Sequence, residues 1–293
     1  MRVTYTMLTN TLLNDLSNNL DRVESLQKQL SSGKKISRPS DDPIGTTRAM
    51  ALRSNLNTQD QYIRNMDFAK AELDMADKTL QEISDVLGRI KDLAVRGSNE
   101  SLPQGSRDAI GKEVDQLIDQ LIQLGNTTVS GRYIFSGFRT TTSPLERNGD
   151  VVNYRGDNNT REVEIATGQV LKLTPPGKSL FVDTGMFDNL IRLKNELYAG
   201  DTSGINQEIG TIDNMIDKVG IEIAEVGARS QRLDWTNNLL QDREVTYKDL
   251  LSKQEDIDIE DVVLKLYAQQ NVYQASLMAA AKVLQPSLIN YLS

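Results

Sequence analysis

Apolar residues recur along this chain at alternating steps of three and four positions, in five stripes separated by turn-forming segments. The two longest stripes cover residues 62–94 and 205–251, and shorter stripes cover residues 13–30, 110–124 and 263–284. Repeats of about 3.5 residues that persist over several heptads are typical of coiled-coil packing. The pattern therefore predicts amphipathic helices, of which the two longest are similar in length and pack antiparallel.

The apolar period changes to that of β-strands between residues 124 and 205. The segments GRYIFSGF, VVNYRGDNNTREVEIAT and QVLKLTPPG hold short β-branched and aromatic runs separated by Gly, Asn, Asp and Pro. Such runs predict β-hairpins. We expect Val151–Tyr154 to pair with residues 161–165 across a turn at 156–160, and a short helix to follow over residues 187–198.

These elements predict a mainly α fold. Its main part is a long antiparallel coiled-coil or helical-bundle rod, with a small β-hairpin-rich segment at one end and paired terminal helices at the other. The predicted domains are a helical rod of residues 43–131 and 183–252, a small β subdomain of residues 132–182, and a terminal coiled-coil domain of residues 1–42 and 253–293.

The terminal helices carry one narrow apolar stripe each, interrupted by Gln27 and Gln270. A single pair of helices with narrow stripes buries little surface, so we expect the pair to be marginal in the monomer and covered by partners in an assembly. The candidate assembly stripe consists of Leu13, Leu16, Leu20, Val23, Leu30, Val263, Leu266, Tyr273, Leu277 and Leu284.

The segment GKKISRPSDDPIG, residues 33–45, interrupts the helical pattern between the first two stripes. Gly33 suits the left-handed conformation that ends a helix. Asp42 is the predicted N-cap of the next helix, and Pro43 fits its first position. We expect an inter-domain link that sets the angle between the terminal helices and the rod, formed by Pro39, Ser40, Asp41, Asp42 and Pro43.

Composition narrows the possible chemistry. The chain contains neither cysteine nor histidine, which excludes thiolate and imidazole catalysis and the metal sites built from them. We expect no catalytic residue, cofactor or metal, although an enzyme that uses carboxylates in the β segment stays open. The net charge of −8 argues against nucleic acid or an anionic membrane as partner. No apolar run approaches the length of a transmembrane helix, and the N-terminus lacks a secretory signal.

Two short motifs fit ordinary local structure better than a functional site. Residues 155–157 match the adhesion tripeptide RGD, but the sequence Gly-Asp-Asn-Asn that overlaps it is common in turns. The acidic run at residues 255–261 lacks the glycine and the spacing of an EF-hand, and carboxylates suit the N-terminus of a helix.

Three segments resemble a known family. LSSGKKISRPSDDPIG, residues 30–45, resembles the pattern of the flagellin superfamily. GRYIFSGFRTTTSP, residues 131–144, resembles a segment of the hook-associated protein 3 group, the hook–filament junction proteins, and residues 273–292 are similar to the C-terminal signature of that group. Flagellins usually carry alanine-rich residues where this chain has Pro39 and Pro43, and a larger insert, so the resemblance favours the junction group.

The resemblance implies a structural subunit of the bacterial flagellum that forms the junction between hook and filament and supports filament assembly. It also implies export through the flagellar type III apparatus without a cleaved signal, and terminal helices that line the central tube. The implied partners are other copies of the chain in a ring, the hook-side junction protein, flagellin, an export chaperone and the export apparatus. Two alternatives stay open: a flagellin-type filament subunit, and a non-flagellar coiled-coil tether or adapter.

Overall fold

The computed structural model describes residues 5–284, which group into two compact units. The terminal unit contains the described residues up to Thr58 and from Arg243 onward, and the central unit contains residues 59–242. The helices are α1 Tyr5–Ser32, α2 Pro43–Gly97, α3 Gln104–Gly125, α4 Met186–Ala199, α5 Thr202–Glu255 and α6 Ile259–Leu284. The strands are β1 Thr128–Val129, β2 Arg132–Tyr133, β3 Leu145–Asn148, β4 Val151–Tyr154, β5 Glu162–Ala166 and β6 Gln169–Lys172. The predicted mainly α fold class is thus confirmed.

The core of the central unit lies along the predicted seam of α2. The fully buried residues of this seam are Met66, Ala69, Leu73, Ala76, Leu80, Ile83, Leu87, Ile90 and Ala94. On α5 a series of buried apolar residues is spaced seven apart, at Ile205, Ile212, Val219, Val226, Leu233 and Leu240, and Met215 is buried between two of them. The ion pairs Lys70–Asp234 and Lys91–Asp213 join the two helices within this unit. Because residue numbers rise on one helix as they fall on the other, α2 and α5 run antiparallel here, as predicted.

The hairpins pair differently from the sequence prediction. β3 pairs with β4, with Asn148 opposite Val151, and β5 pairs with β6, with Ala166 opposite Gln169. The predicted pairing of β4 with residues 161–165 is therefore wrong. Two-residue loops close both observed hairpins, and each loop contains a glycine with positive φ, Gly149 at 63° and Gly168 at 69°. Such short loops cost less chain entropy than the longer turn we expected.

Ion pairs fasten the β3–β4 hairpin to the helices of the central unit. Arg147 of β3 reaches two carboxylates of α3, Asp115 at 2.5 Å and Asp119 at 2.5 Å. Lys194 of α4 pairs with Asp150 in the hairpin turn at 2.5 Å. Burial alone would raise the pKa of Asp115, but the hydrogen bonds and positive charges of Arg147 and Lys194 together outweigh burial and lower that pKa. The hairpin is therefore held by ion pairs, in which the cations are largely shielded, as well as by apolar packing.

The terminal unit follows the predicted helix ends. Gly33 has a φ of 68° just after α1 ends, and α2 begins at Pro43. The Asp42 side chain accepts a hydrogen bond from the Gly45 backbone N–H at 2.9 Å, which is the geometry of an N-cap. The predicted short helix is also present as α4. The three-part domain division drawn from the sequence stays a prediction.

Candidate assembly surfaces

Within the terminal unit, α1 and α6 pack against each other along a thin seam. Val23, Val262, Leu266 and Ala280 are its buried apolar residues. The predicted stripe is split by this packing. Of its other members Leu16, Leu30, Val263 and Tyr273 are half-buried, Leu13, Leu20 and Leu277 are exposed, and the side chain of Leu284 lies outside the described residues.

Large apolar side chains cover the outer faces of this helix pair. The exposed fractions of Leu13, Leu20 and Leu277 are 52%, 41% and 43%. Further exposed residues of the pair are Met7, Leu8, Leu264, Tyr267, Val272 and Met278. Many large exposed apolar side chains on one helix pair favour a surface that a partner covers. The seam is thus filled by one part of the stripe, and the other part faces solvent.

A polar layer interrupts the α1–α6 seam at Asn19. Its side-chain amide donates to Ser276 Oγ at 3.2 Å, and its Oδ1 accepts a hydrogen bond from Gln269 Nε2 at 3.1 Å. A paired polar residue inside an apolar seam favours one register over others, because a shifted pairing leaves the amide unsatisfied. Sequence reasoning singled out Gln27 and Gln270 instead. A helical wheel centred on Val23 rather than Leu20 would have placed Asn19 on the seam.

The link residues form an ordered turn inside the terminal unit. The Asp41 carboxylate accepts hydrogen bonds from the backbone N–H groups of Ser37 at 3.1 Å and Arg38 at 2.8 Å. Pro39, Ser40 and Pro43 are exposed. Because the turn lies within one compact unit, its role as an inter-domain link stays a prediction.

Glu255, at the end of α5, joins three segments of the terminal unit. Its buried carboxylate pairs with Lys34 at 3.0 Å and with Arg53 of α2 at 2.5 Å. Its carbonyl accepts a hydrogen bond from the Lys35 backbone N–H at 2.6 Å, and Ile257 donates to the Gly33 carbonyl at 3.1 Å. We call this set of contacts the Glu255 clasp.

The clasp stabilises the ionised form of Glu255. Burial alone would raise its pKa, but the hydrogen bonds and positive charges of Lys34 and Arg53 together outweigh burial and lower the pKa below that of an ordinary glutamate. Sequence reasoning assigned Glu255 to the acidic run that precedes α6. The signal that could have found its role is the basic pair Lys34–Lys35 directly after the helix-ending Gly33.

The alternative motifs have local structural roles. Asp258 accepts hydrogen bonds from the backbone N–H groups of Glu260 and Asp261, so it is the N-cap of α6. In the RGD tripeptide, Asp157 accepts hydrogen bonds from the Phe138 and Asn159 N–H groups, and Arg155 pairs with Glu146. These charged groups therefore hold the β segment together.

The described residues also bear on metal binding and on membrane insertion. Within residues 5–284, no group of three or more acidic side chains is placed to hold a metal ion. None of the described helices is long and apolar enough to cross a membrane.

Two sequence families match the chain. The family described as the bacterial flagellin N-terminal helical region matches residues 3–140, and the bacterial flagellin C-terminal helical region matches residues 209–292. The unmatched stretch between them contains the β3–β4 and β5–β6 hairpins and α4. Both terminal helices and both long helices thus lie wholly or largely in the matched parts.

Individual relatives differ in how much of each chain they cover. Flagellar hook-associated protein 3 of Salmonella typhimurium is 26% identical over 305 residues, which cover 94% of this chain and 95% of that protein. Flagellin B of Helicobacter pylori is 35% identical over 123 residues, which cover 42% of this chain and 24% of that flagellin. The crystal structure of the flagellar junction protein FlgL from Legionella pneumophila shares the fold, with a TM-score of 0.61 at 15% identity, covering 73% of this chain and 100% of that one.

Proposed function

We propose that this chain, which belongs to the bacterial flagellin family, is a structural subunit of the junction between the flagellar hook and filament. The observation that carries this proposal is the length of the match to hook-associated protein 3, which covers nearly all of both chains. The match to flagellin B covers only 24% of that protein. A chain of junction-protein length with the same terminal helices fits the junction role better than the filament role.

The terminal unit supplies the physical basis for assembly. The helix pair buries one side of each stripe in the seam and exposes the other, which includes Leu13, Leu20 and Leu277. Burying such side chains releases about 25 cal/mol per Å² of apolar surface, which favours association with further helices. We infer that these faces pack against neighbouring subunits and that the terminal helices line the central tube. The link at residues 39–43 sets their direction.

The proposed partners follow from a place in the flagellum. Other copies of the chain form a ring, with the hook-side junction protein on one side and flagellin on the other. The chain reaches this extracellular position through the flagellar type III export apparatus, and an export chaperone covers its C-terminal helix beforehand. We propose the three-part division into terminal helices, helical rod and β subdomain as the functional organisation.

A gene deletion tests the proposed function. The deletion strain should make hooks without filaments and release flagellin into the medium, and the wild-type gene on a plasmid should restore filaments. Normal filaments on the deletion strain would refute the junction role. The filament-subunit alternative, favoured by the identity to flagellin B over 123 residues, predicts that the purified chain elongates into long filaments when seeded. The junction role predicts that it does not.

A further inference from the structure

A groove of about 450 Å³ lies on one side of the α1–α6 pair. Its apolar lining comes from Leu26 of α1 and from Ala268 and Val272 of α6. Val272 is 49% exposed, so the single chain leaves this groove open to solvent. An apolar groove between two helices is suited to an apolar side chain that projects from a third helix. We call this side of the pair the groove flank.

The edge of the groove is basic. Arg22 and Lys265 line it, one from each helix. Lys265 pairs with Asp261 of its own helix at 2.5 Å. Arg22 is exposed and forms no ion pair within residues 5–284. The guanidinium of Arg22 can therefore pair with a carboxylate of another chain.

The opposite side of the pair carries an apolar ridge. An α-helix turns by about 100° per residue, so the residues three before and three after the buried Val23 lie on opposite sides of the seam. Leu26 follows Val23 and lines the groove, so Leu20, which precedes Val23, lies on the other side. Leu20 is 41% exposed, and Glu24 lies one turn further along the same side. We call this side the ridge flank.

The ridge flank keeps a net negative charge in the single chain. Glu24 pairs with Lys28 at 3.7 Å, and both side chains are more than half exposed. Exposed i,i+4 pairs contribute little to stability, so Glu24 can exchange Lys28 for a better-placed guanidinium. Asp21 is exposed near Glu24 and forms no ion pair in the part of the chain that the structure describes.

The groove and the ridge lie at the same level of the helix pair. Asn19 contacts both Gln269 and Ser276, so Val272, which stands between these two on α6, is level with Asn19. Leu20 is the next residue of α1 and therefore lies at nearly the level of Val272. In a ring whose copies share one orientation, equal levels of neighbouring pairs meet. The groove flank of one copy then faces the ridge flank of the next.

We propose that the ridge flank of one copy packs into the groove flank of the next copy, with Leu20 entering the groove. Glu24 of the first copy then faces Arg22 of the second. This inference rests on the proposed junction role and deepens it, because it names the surface that receives the exposed face of the pair. The occupant is a second copy because the two flanks are opposite in charge, equal in level and on separate sides of one helix pair. Such a contact is heterologous, and it forms a ring when its rotation closes.

Cysteine cross-linking in assembled flagella tests the contact directly, because the natural chain contains no cysteine. Ser17 is exposed one turn before Leu20 on the ridge flank, and Val272 lines the groove. The variant Ser17→Cys with Val272→Cys changes both side chains little in size, so it should assemble under reducing conditions. A disulfide needs Cα atoms within about 7 Å, so thiols on opposite flanks should meet only between copies. Mild oxidation should therefore give a ladder of disulfide-linked oligomers.

The matched control moves one thiol to the other side of α1. Asn18 is exposed one turn before Arg22, on the groove flank. Asn18→Cys with Val272→Cys places both thiols on the same flank, so the proposed contact should give no ladder. Groove flanks that face each other would instead give cross-linked dimers in this control, and that result would overturn the proposal.

Charge reversal tests the electrostatic part of the proposal. Arg22→Glu and Glu24→Arg should each reduce the yield of the cross-link between residues 17 and 272 by about tenfold, and the double reversal should restore it. Arg48→Glu makes the same charge change at an exposed arginine of α2 and should leave the yield unchanged. The number of filaments per cell, counted in strains without the cysteines, is a second measure and should follow the same order.

The outcomes separate this inference from the proposed function. Strains that carry the cysteine variant and form normal filaments without any ladder would overturn the contact and leave the junction role intact. Single charge reversals that change neither the cross-link nor the filament number would also overturn it. Normal filaments on the deletion strain would instead remove the junction role. A ladder that fades on single reversal and returns on double reversal supports the contact.

Discussion

At the scale of single residues, the Glu255 carboxylate joins Lys34, just after α1, and Arg53 of α2 to the end of α5. Glu255→Gln removes the negative charge that Lys34 and Arg53 share, so we expect the free energy of unfolding of this unit to fall by about 1–2 kcal/mol at neutral pH. The effect stays moderate because both cations are about half exposed. Thermal unfolding and hydrogen exchange of the α1 amides both measure this loss of stability.

The same residue makes a prediction about pH. Because the folded-state pKa of Glu255 is lowered, its stabilisation is fully present above the value of about 4.3 that an unfolded glutamate has, and it is lost as the pH falls through the folded value. Wild type should therefore lose more stability than Glu255→Gln between about pH 6 and about pH 3. Glu24→Gln, at an exposed i,i+4 pair with Lys28, is the control. Equal pH dependence of wild type and Glu255→Gln would contradict the clasp.

At the scale of elements, the register of the α1–α6 pair depends on Asn19. Asn19→Leu should raise the melting temperature of the pair, because leucine fills the seam better than an amide, and it should also allow alternative registers. Hydrogen exchange of α1 and α6 should show stronger but more heterogeneous protection. Asn18→Leu changes the neighbouring exposed position, so it should neither raise the melting temperature nor make the protection more heterogeneous. A lower melting temperature for Asn19→Leu would mean that the amide stabilises the seam itself.

The link makes a second prediction at this scale. Replacing Pro39 and Pro43 by alanine permits helix to extend through the link from both sides, while the loss of two exposed side chains costs the fold little. We expect a folded and secreted subunit that assembles poorly, because the direction of the terminal helices changes. Filament number is counted beside the secreted protein level, with Pro103→Ala before α3 as control. Normal assembly of the double variant would show that the prolines only end helices.

At the scale of the whole molecule, folding and assembly use different parts of one stripe. Leu277 is 43% exposed, so Leu277→Asp should leave the free energy of unfolding of the free subunit within about 1 kcal/mol of wild type. In the junction the carboxylate would have to be desolvated on docking, so we expect few filaments. Leu266→Asp, at a buried seam position, should lower the stability of the free subunit as well. A large loss of stability in Leu277→Asp would show that its face is already covered in the monomer.

Helix identity, helix ends and the core of the central unit could all be predicted from the sequence. The α2 seam from Met66 to Ala94 is buried at every predicted position, because a heptad pattern is local and its period alone defines the face. The Asp42 cap and the start of α2 at Pro43 follow from interactions among neighbouring residues, which the sequence lists side by side. The resemblance at both termini identified the family for the same reason, since its motifs are contiguous segments.

The tertiary structure decided which residues meet across long separations. The apolar pattern alone does not show which half of the terminal stripe faces the seam. The packing of α1 against α6 decided that Asn19 lies on the seam and that Leu277 lies on the outer face. Strand pairing depended on which turns form. The two-residue loops at Gly149 and Gly168 form instead of the longer turn that we expected at residues 156–160. The Glu255 clasp joins residues more than two hundred positions apart, and no local pattern encodes that contact. Its energy comes from burial and charge that exist only once the chain has folded.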